Sequence, residues 1–227
     1  MTSIQIISHT SLPSESVGRL LKALKQTAPV SFHYGKGVNK LEQYKFFKKK
    51  KLEHPEWTED YEVANTWLAE GHTVLARKRI KGQTGVGIVV LKPGPGSSDL
   101  VLKDEYKVFT KYIKKKREFR VNLFKHQFVN MREKVRATTA STDSHIRNSA
   151  NGYTTTHCRP MPEALRQRII ALAVAAAPVS ESDFIGVDIC YNEYKDLVFL
   201  LEVNSGPSIE GSSVNDFVKA MLENVQA

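Results

Sequence analysis

Apolar positions along this chain recur at two periods, near 3.6 residues where one side of a helix would be buried and near 2 where one side of a strand would be. Ile4-Gln5-Ile6-Ile7 reads as a short strand, and Val17, Leu20, Leu21 and Leu24 recur at helical spacing through 14–26, with Pro13 and Ser14 at the start and Pro29 past the end. Asn39 to Phe47 predicts a second helix with Leu41 and Tyr44 on one face. The segment His54-Pro55-Glu56-Trp57-Thr58 is extended, because the residue before a proline is driven out of the helical region. A third helix turns Val63, Trp67 and Leu68 inward and closes at Gly71. Val74 to Lys78, Ile88 to Leu91, Val108 to Ile113, Glu118 to Phe124 and Val129 to Val135 predict strands. Pro162 to Ala177 is a helix with Leu165, Ile169, Leu172 and Ala176 on its core face and Pro178 just beyond. Two paired strands follow, around Ile185–Ile189 and Val198–Val203, and Val214 to Val225 closes the sequence as an amphipathic helix.

Polar residues that break these patterns carry the chemistry. In Leu201-Glu202-Val203-Asn204, alternation puts Glu202 and Asn204 on one face and Leu201 and Val203 on the other. Asp188, set in the apolar run Ile185-Gly186-Val187-Asp188-Ile189, would join them from the neighbouring strand. Three oxygen donors then converge, a set that suits Mg²⁺ together with the phosphates of a nucleotide. Glu118, Arg120 and Asn122 also share a face; a cleft lining and a solvent-facing strand produce the same pattern, and the solvent-facing side is the expectation.

Between two strands, Gly82, Gly85 and Gly87 stand at G-x-x-G-x-G spacing, where backbone amides can approach phosphate oxygens closely. A hairpin turn would explain the glycines equally well. Lys78, four residues upstream, tips the balance, since it can meet the same phosphates as a point charge. The spacing matches neither a P-loop nor a dinucleotide fingerprint. The polar stretch Thr138 to Asn151 reads as a loop carrying His145, Arg147 and Asn148, with the histidine incidental.

With 227 residues, 41% hydrophobic and 25% charged, the chain can bury a substantial core as one two-lobed domain or two small ones. Lys92-Pro93-Gly94-Pro95-Gly96-Ser97-Ser98 is a turn-rich candidate for the lobe boundary. The absence of a long apolar run and of a basic, apolar start predicts a cytoplasmic protein without a membrane partner. Cys158 and Cys190 have no CxxC spacing and read as free thiols. A net charge of +9 attracts anions: nucleotides, acidic peptides or nucleic acid. Much of it lies in two runs, Lys48–Lys51 and Lys114–Arg117, with few aromatics between them for base stacking, so nucleic acid ranks second.

Taken in order, these motifs resemble the ATP-grasp carboxylate–amine ligases, and within them the RimK-like ribosomal-protein glutamate ligases, over Asn39 to Asp216. The resemblance implies an α+β (α/β) ATP-grasp fold: an N-terminal α/β remnant over 1–37, a small lobe with the glycine flap over 38–97, and a C-terminal lobe with the metal site over 98–227. It implies that Lys40 and Lys78 and the flap residues Gly82, Gln83, Thr84, Gly85 and Gly87 hold ATP phosphates. Lys111-Tyr112-Ile113 resembles the segment whose backbone meets adenine, and Glu118 the acid that binds ribose. Arg120, Arg147 and Asn148 resemble the residues around the transferred phosphate, and Asp188, Glu202 and Asn204 the ligands of one or two Mg²⁺, or of Mn²⁺ in its place. The implied reaction is amide formation through an acylphosphate, from a carboxylate and an amine such as an acidic amino acid, a peptide or a protein tail. A phosphotransferase on the same fold and a non-catalytic basic binding module are the rival readings. Three features depart from the family pattern: Lys111 stands where an acid is usual, the N-terminal domain is short, and Ser-Gly-Pro-Ser at 205–208 replaces Ser-Pro-Gly.

Overall fold

The computed structural model describes residues 6–8, 15–24, 32–34, 37–80, 87–94, 105–137, 145–207, 209 and 211–225. Two antiparallel sheets carry the molecule. The larger has five strands in the order β11–β10–β7–β8–β9, formed by β7 (Arg117–Phe124), β8 (Gln127–Arg136), β9 (Tyr153–His157), β10 (Phe184–Asn192) and β11 (Leu197–Asn204). The smaller has four in the order β3–β6–β4–β5, formed by β3 (Trp57–Thr58), β4 (Val74–Arg77), β5 (Ile88–Leu91) and β6 (Val108–Lys111). A parallel pair, β1 (Ile6–Ser8) and β2 (Phe32–Tyr34), is joined in sequence through α1 (Glu15–Leu24). It is tied to the start of β10 where the His33 N–H donates to Asp183 Oδ2 at 2.6 Å and the Asp183 N–H to the His33 carbonyl at 2.8 Å.

The five-stranded sheet has two unlike faces, as strict alternation requires. Phe119, Val121, Leu123, Ile185, Val187, Ile189, Leu200 and Val203 are buried on one of them. Against that face pack α2 (Lys40–Lys49), through Tyr44 and Phe47, and α4 (Glu163–Ala176), through Leu165, Ile169, Ala173 and Ala176. Each such side chain contributes on the order of 1.5–3 kcal/mol by leaving water. The other face is polar, and its far end, at Phe124 and Phe184, is closed by Phe217 and Met221 of α5 (Ser212–Val225) and Leu20 of α1. The small sheet buries Val74, Ala76, Leu91 and Phe109 under Ala64, Trp67 and Leu68 of α3 (Tyr61–Ala69).

Several expectations change. Val63 is 39% exposed, and Ala64 takes the inward position beside Trp67 and Leu68. Gly71 follows α3 with φ +86°, a conformation that favours glycine. The strand β6 pairs with β3 and β4, so the four-stranded sheet draws on residues from both sides of the turn-rich segment at 92–98. The helix α2, expected with the small lobe, packs on the large sheet. In β11 a bulge falls opposite Asp188/Ile189: Glu202 pairs with Asp188, Leu200 with Ile189, and Leu201 is left between them. Leu200 rather than Leu201 therefore joins Val203 in the core. The strand β9 falls in a threonine-rich stretch that showed no apolar alternation, and its residues 154–157 are exposed.

Candidate functional site

Register places a row of charged residues across the polar face. Glu202 of β11 lies opposite Asp188 of β10, Asp188 opposite Arg120 of β7, and Arg120 opposite Arg132 of β8. A parallel row beside it runs Asn204, Gly186, Asn122 and Asn130. Glu118 and Asn122 are each 3% exposed, so this side of β7 is buried and not the solvent face that its alternation suggested.

The row is a network of ion pairs. The Arg120 Nε and Nη2 donate to the two oxygens of Asp188, both at 2.8 Å. Lys134 Nζ reaches Asp188 at 2.8 Å and Glu118 at 2.7 Å, and Lys115 Nζ lies 2.9 Å from the other Glu118 oxygen. Burial opposes ionisation of Asp188, but Arg120 and Lys134 outweigh it and hold the carboxyl well below its usual range. Burial opposes ionisation of Glu118 too, and Lys115 and Lys134 nevertheless pull it down. Arg120 and Lys134 are pushed up by the same carboxylates against the effect of burial.

Lys40 enters from the first turn of α2 and meets Glu202 at 2.6 Å. Its position follows from Gln43, one turn on along the same helix face. The Gln43 side chain, 1% exposed, donates to the Val203 carbonyl at 2.9 Å and accepts from the Val203 N–H at 2.8 Å, docking α2 on the free edge of β11. The Asn39 side chain caps the helix by accepting from the Glu42 N–H at 2.9 Å. Burial lowers the Lys40 pKa by more than Glu202 restores, so this ammonium gains from any further anion brought to it.

Buried polar atoms without a hydrogen-bond partner gather around the row. They include Asn204 Nδ2, Asn122 Oδ1 and Arg77 Nε, the last on the strand whose charge also acts on Lys40. Unpaired buried groups of this kind are costly and mark a place where a polar ligand completes the set. The donors fit Mg²⁺ as part of a nucleotide complex: two carboxylates face each other directly, with the Asn204 amide two residues along the same strand face. Among the described residues no group of three His, Cys, Asp or Glu side chains could hold a metal by itself.

The remaining candidates lie further out. Lys78 pairs with Glu105, its Nζ 5.6 Å from the Tyr106 ring centre, and its N–H donates to the Gly87 carbonyl at 2.9 Å. Gly87 has φ +83°, as the turn there requires. Gly82, Gln83, Thr84 and Gly85 lie outside the described residues. At 111–113 the Lys111 N–H donates to the Glu56 carbonyl and the Tyr112 N–H to that of Thr73. The Lys111 ammonium lies 3.0 Å from Glu56 and 5.0 Å from the Trp67 ring centre. The Tyr112 ring stands 4.7 Å from that of His145, and burial pushes its hydroxyl pKa up. His145 is thereby placed beside the segment expected to hold adenine. Arg147 donates to the carbonyls of Lys115 (3.1 Å) and Lys116 (3.4 Å), which holds it against the backbone just before Glu118; its Nε is buried and without a hydrogen-bond partner. The Asn148 side chain accepts from the Asn151 N–H at 2.9 Å and caps the 149–151 turn.

Sequence reasoning missed Lys134, Lys115, Arg132, Asn130 and Gln43. Alternation in β8 does set Asn130, Arg132 and Lys134 apart from Met131, Glu133 and Val135, but Glu133 obscures the apolar side. It is 1% exposed because Arg117 and Arg159 both bind it.

No protein-family model matches the sequence, and no curated protein matches it. Its structure is similar to that of a D-alanine–D-alanine ligase from Bacillus anthracis, with TM-score 0.60 and 16% identity over 94% of this chain and 76% of that one. It is also similar to the ATP-grasp ligase PsnB complexed with a minimal precursor, Mg and ADP, with TM-score 0.59 and 15% identity over 90% and 64%. A third match is the carboxyaminoimidazole ribonucleotide synthase of Aspergillus clavatus complexed with ATP, with TM-score 0.58 and 18% identity over 82% and 51%. The chain has the ATP-grasp fold.

Proposed function

We propose that the chain is an ATP-dependent carboxylate–amine ligase that works through an acylphosphate. The observation that carries this reading is the row Glu202–Asp188–Arg120, buried at Asp188 and half-buried at its two ends, with Lys40 over one end and unpartnered polar atoms beside it. Lys40, Lys78 and the flap over Gly82, Gln83, Thr84, Gly85 and Gly87 bind the ATP phosphates, Lys111-Tyr112-Ile113 the adenine and Glu118 the ribose. Asp188, Glu202 and Asn204 hold Mg²⁺, which supplies charge neutralisation at the phosphates. Similar solved structures are described with ATP and with Mg and ADP, which supports a nucleotide–Mg²⁺ complex as the ligand.

A substrate carboxylate oxygen attacks the γ-phosphorus and ADP leaves. The amine then attacks the acyl carbon, the carbon–oxygen bond to phosphate breaks, and inorganic phosphate and a proton depart. Arg120, fixed by Asp188, and Arg147, held by the 115–116 carbonyls, neutralise the charge that develops, and Asn148 positions the turn that carries Arg147. Five cations, Lys40, Lys115, Arg120, Arg132 and Lys134, share the face with Glu118, Asp188, Glu202 and the half-exposed Asp216. That surplus of positive charge favours an acidic amino acid, peptide or protein tail among the substrates, as in the RimK-like branch.

The test is ADP and phosphate release that requires both a carboxylate and an amine. A phosphorylated product without an amide would point instead to phosphotransfer, and salt-sensitive nucleic-acid binding without turnover to a binding module. Asp188→Asn and Glu202→Gln should each lower turnover by about 10²-fold or more. Full activity in both would remove the metal assignment.

A further inference from the structure

No step of the reaction above uses Lys134, yet its side chain joins two of the acids on the polar face. It stands on β8, with β7 between it and β10. At the usual strand spacing that is roughly 10 Å, which the long lysine stem crosses to bring Nζ within 2.8 Å of Asp188 Oδ2. The same ammonium meets Glu118 Oε1 at 2.7 Å, and its side chain is 12% exposed. A buried ammonium is costly unless it is paired, and here both partners are carboxylates.

A second ammonium acts in the same way on the neighbouring strand. Glu202 lies directly opposite Asp188, and Lys40, arriving from α2, meets Glu202 Oε2 at 2.6 Å. Both carboxylates expected to hold Mg²⁺ therefore already bind a lysine, and Arg120 Nε and Nη2 engage the two oxygens of Asp188 as well. Four cations, Lys40, Lys115, Arg120 and Lys134, face three carboxylates, Glu118, Asp188 and Glu202, in this cluster. A bare divalent ion would add two positive charges to a set that is already net positive, and would have to displace an ammonium from each carboxylate. Phosphates change that balance, because they bring negative charge and offer the flexible lysines another partner.

We propose that Lys134 is an internal cap on the metal site. In the nucleotide-free chain its ammonium, together with that of Lys40, holds the oxygens of Asp188 and Glu202 against a divalent cation. These carboxylates accept one only together with phosphates that draw the ammonium groups away, so the two ligands bind cooperatively. The identity of those phosphates as ATP rests on the ligase reading; the cap on Asp188 does not.

The test is Mn²⁺ binding to the full chain without nucleotide, read from the paramagnetic resonance signal of the free ion; Mn²⁺ shares the oxygen preference of Mg²⁺. Lys134→Met removes the ammonium and keeps most of the stem, and should bind Mn²⁺ about tenfold or more tightly than wild type. Lys134→Arg, which keeps the charge, should stay near wild type, and adding Asp188→Asn to Lys134→Met should abolish the gain. The cap is overturned by Lys134→Met binding no more tightly than wild type, by Lys134→Arg gaining as much as Lys134→Met, or by a gain that survives Asp188→Asn. Should Lys134→Met fail to fold, Lys40→Met, which frees Glu202, should show a gain of the same sign, and an unchanged affinity there overturns the cap. ADP–Mg²⁺ calorimetry on the wild type separates the two readings. Nucleotide binding with no gain in Lys134→Met sinks the cap alone, whereas a gain without nucleotide binding leaves the cap standing and removes the ligase.

Discussion

Asp188→Asn should destabilise the nucleotide-free protein as well as disable it. The Asp188 side chain is 7% exposed and holds Arg120 with two contacts and Lys134 with one. Asparagine keeps the shape but removes the charge, leaving two buried cations around a neutral amide. Removing one partner of a buried pair typically costs about 3–5 kcal/mol. Here the lower end applies, about 3 kcal/mol, because the Arg120 side chain is 21% exposed and Lys134 keeps Glu118 at 2.7 Å. For a chain of this size that corresponds to a fall of about 6–12 °C in Tm. Urea unfolding and thermal melts in EDTA, without nucleotide, measure it. The pH dependence supplies a second readout. Because the folded pKa of Asp188 lies below its unfolded value of about 3.9, its contribution is present above that value and is lost as pH falls through the folded one. The gap between wild type and Asp188→Asn should stay full above about pH 5 and narrow below about pH 4. Arg120→Gln in the same chain should recover part of the loss. A variant within about 0.5 kcal/mol of wild type, or a gap that widens in acid, would refute the network as the source of stability.

Other expectations follow from single contacts. Gln43→Leu strips both hydrogen bonds from the buried Val203 backbone, which should cost about 2–4 kcal/mol and raise the KM for ATP through the displaced Lys40; an unchanged KM would show that α2 is positioned by other contacts. A Cβ at Gly186 would lie 2.8 Å from Pro207 Cβ, so Gly186→Ala should lose about 1–3 kcal/mol in denaturant melts, most of it restored by adding Pro207→Gly. No restoration would mean that the 205–207 turn is not what confines this position. Burial pushes the Cys190 thiol up to about 12 and that of Cys158 up to about 11, so at pH 8 iodoacetamide should label neither in the folded protein and both in urea. Fast labelling of native Cys190 would contradict the buried position of β10.

Much of the fold was legible because helices and half-buried strands impose periods that a chain displays without its neighbours. The ranges read for α2, α4, β7 and β10 lie close to those observed for that reason. Misreadings came where the deciding partner is remote in sequence. Val63 obeys a helical period yet faces solvent, because the small sheet meets α3 along Ala64, Trp67 and Leu68. Leu201 is apolar and alternates correctly up to the bulge, whose presence depends on the pairing of β11 with β10. Strand β9 has no apolar face to show, and it forms because β8 offers it a free edge.

The candidate site divides the same way. By itself the sequence determined which residues could share a face: Glu118, Arg120 and Asn122 on one strand, Glu202 and Asn204 on another, with Asp188 between apolar neighbours. Those relations are local, set by the two-residue period of an extended chain. Only the tertiary structure decided that these three strands and β8 lie side by side in the register that aligns Glu202, Asp188, Arg120 and Arg132, and that Glu118, Asn122, Asp188 and Arg132 on this face are buried. It also decided that Lys134, Lys115 and Lys40 arrive from elsewhere to balance the carboxylates. Charge balance in a buried face is a sum over residues far apart in sequence, so no local pattern records it.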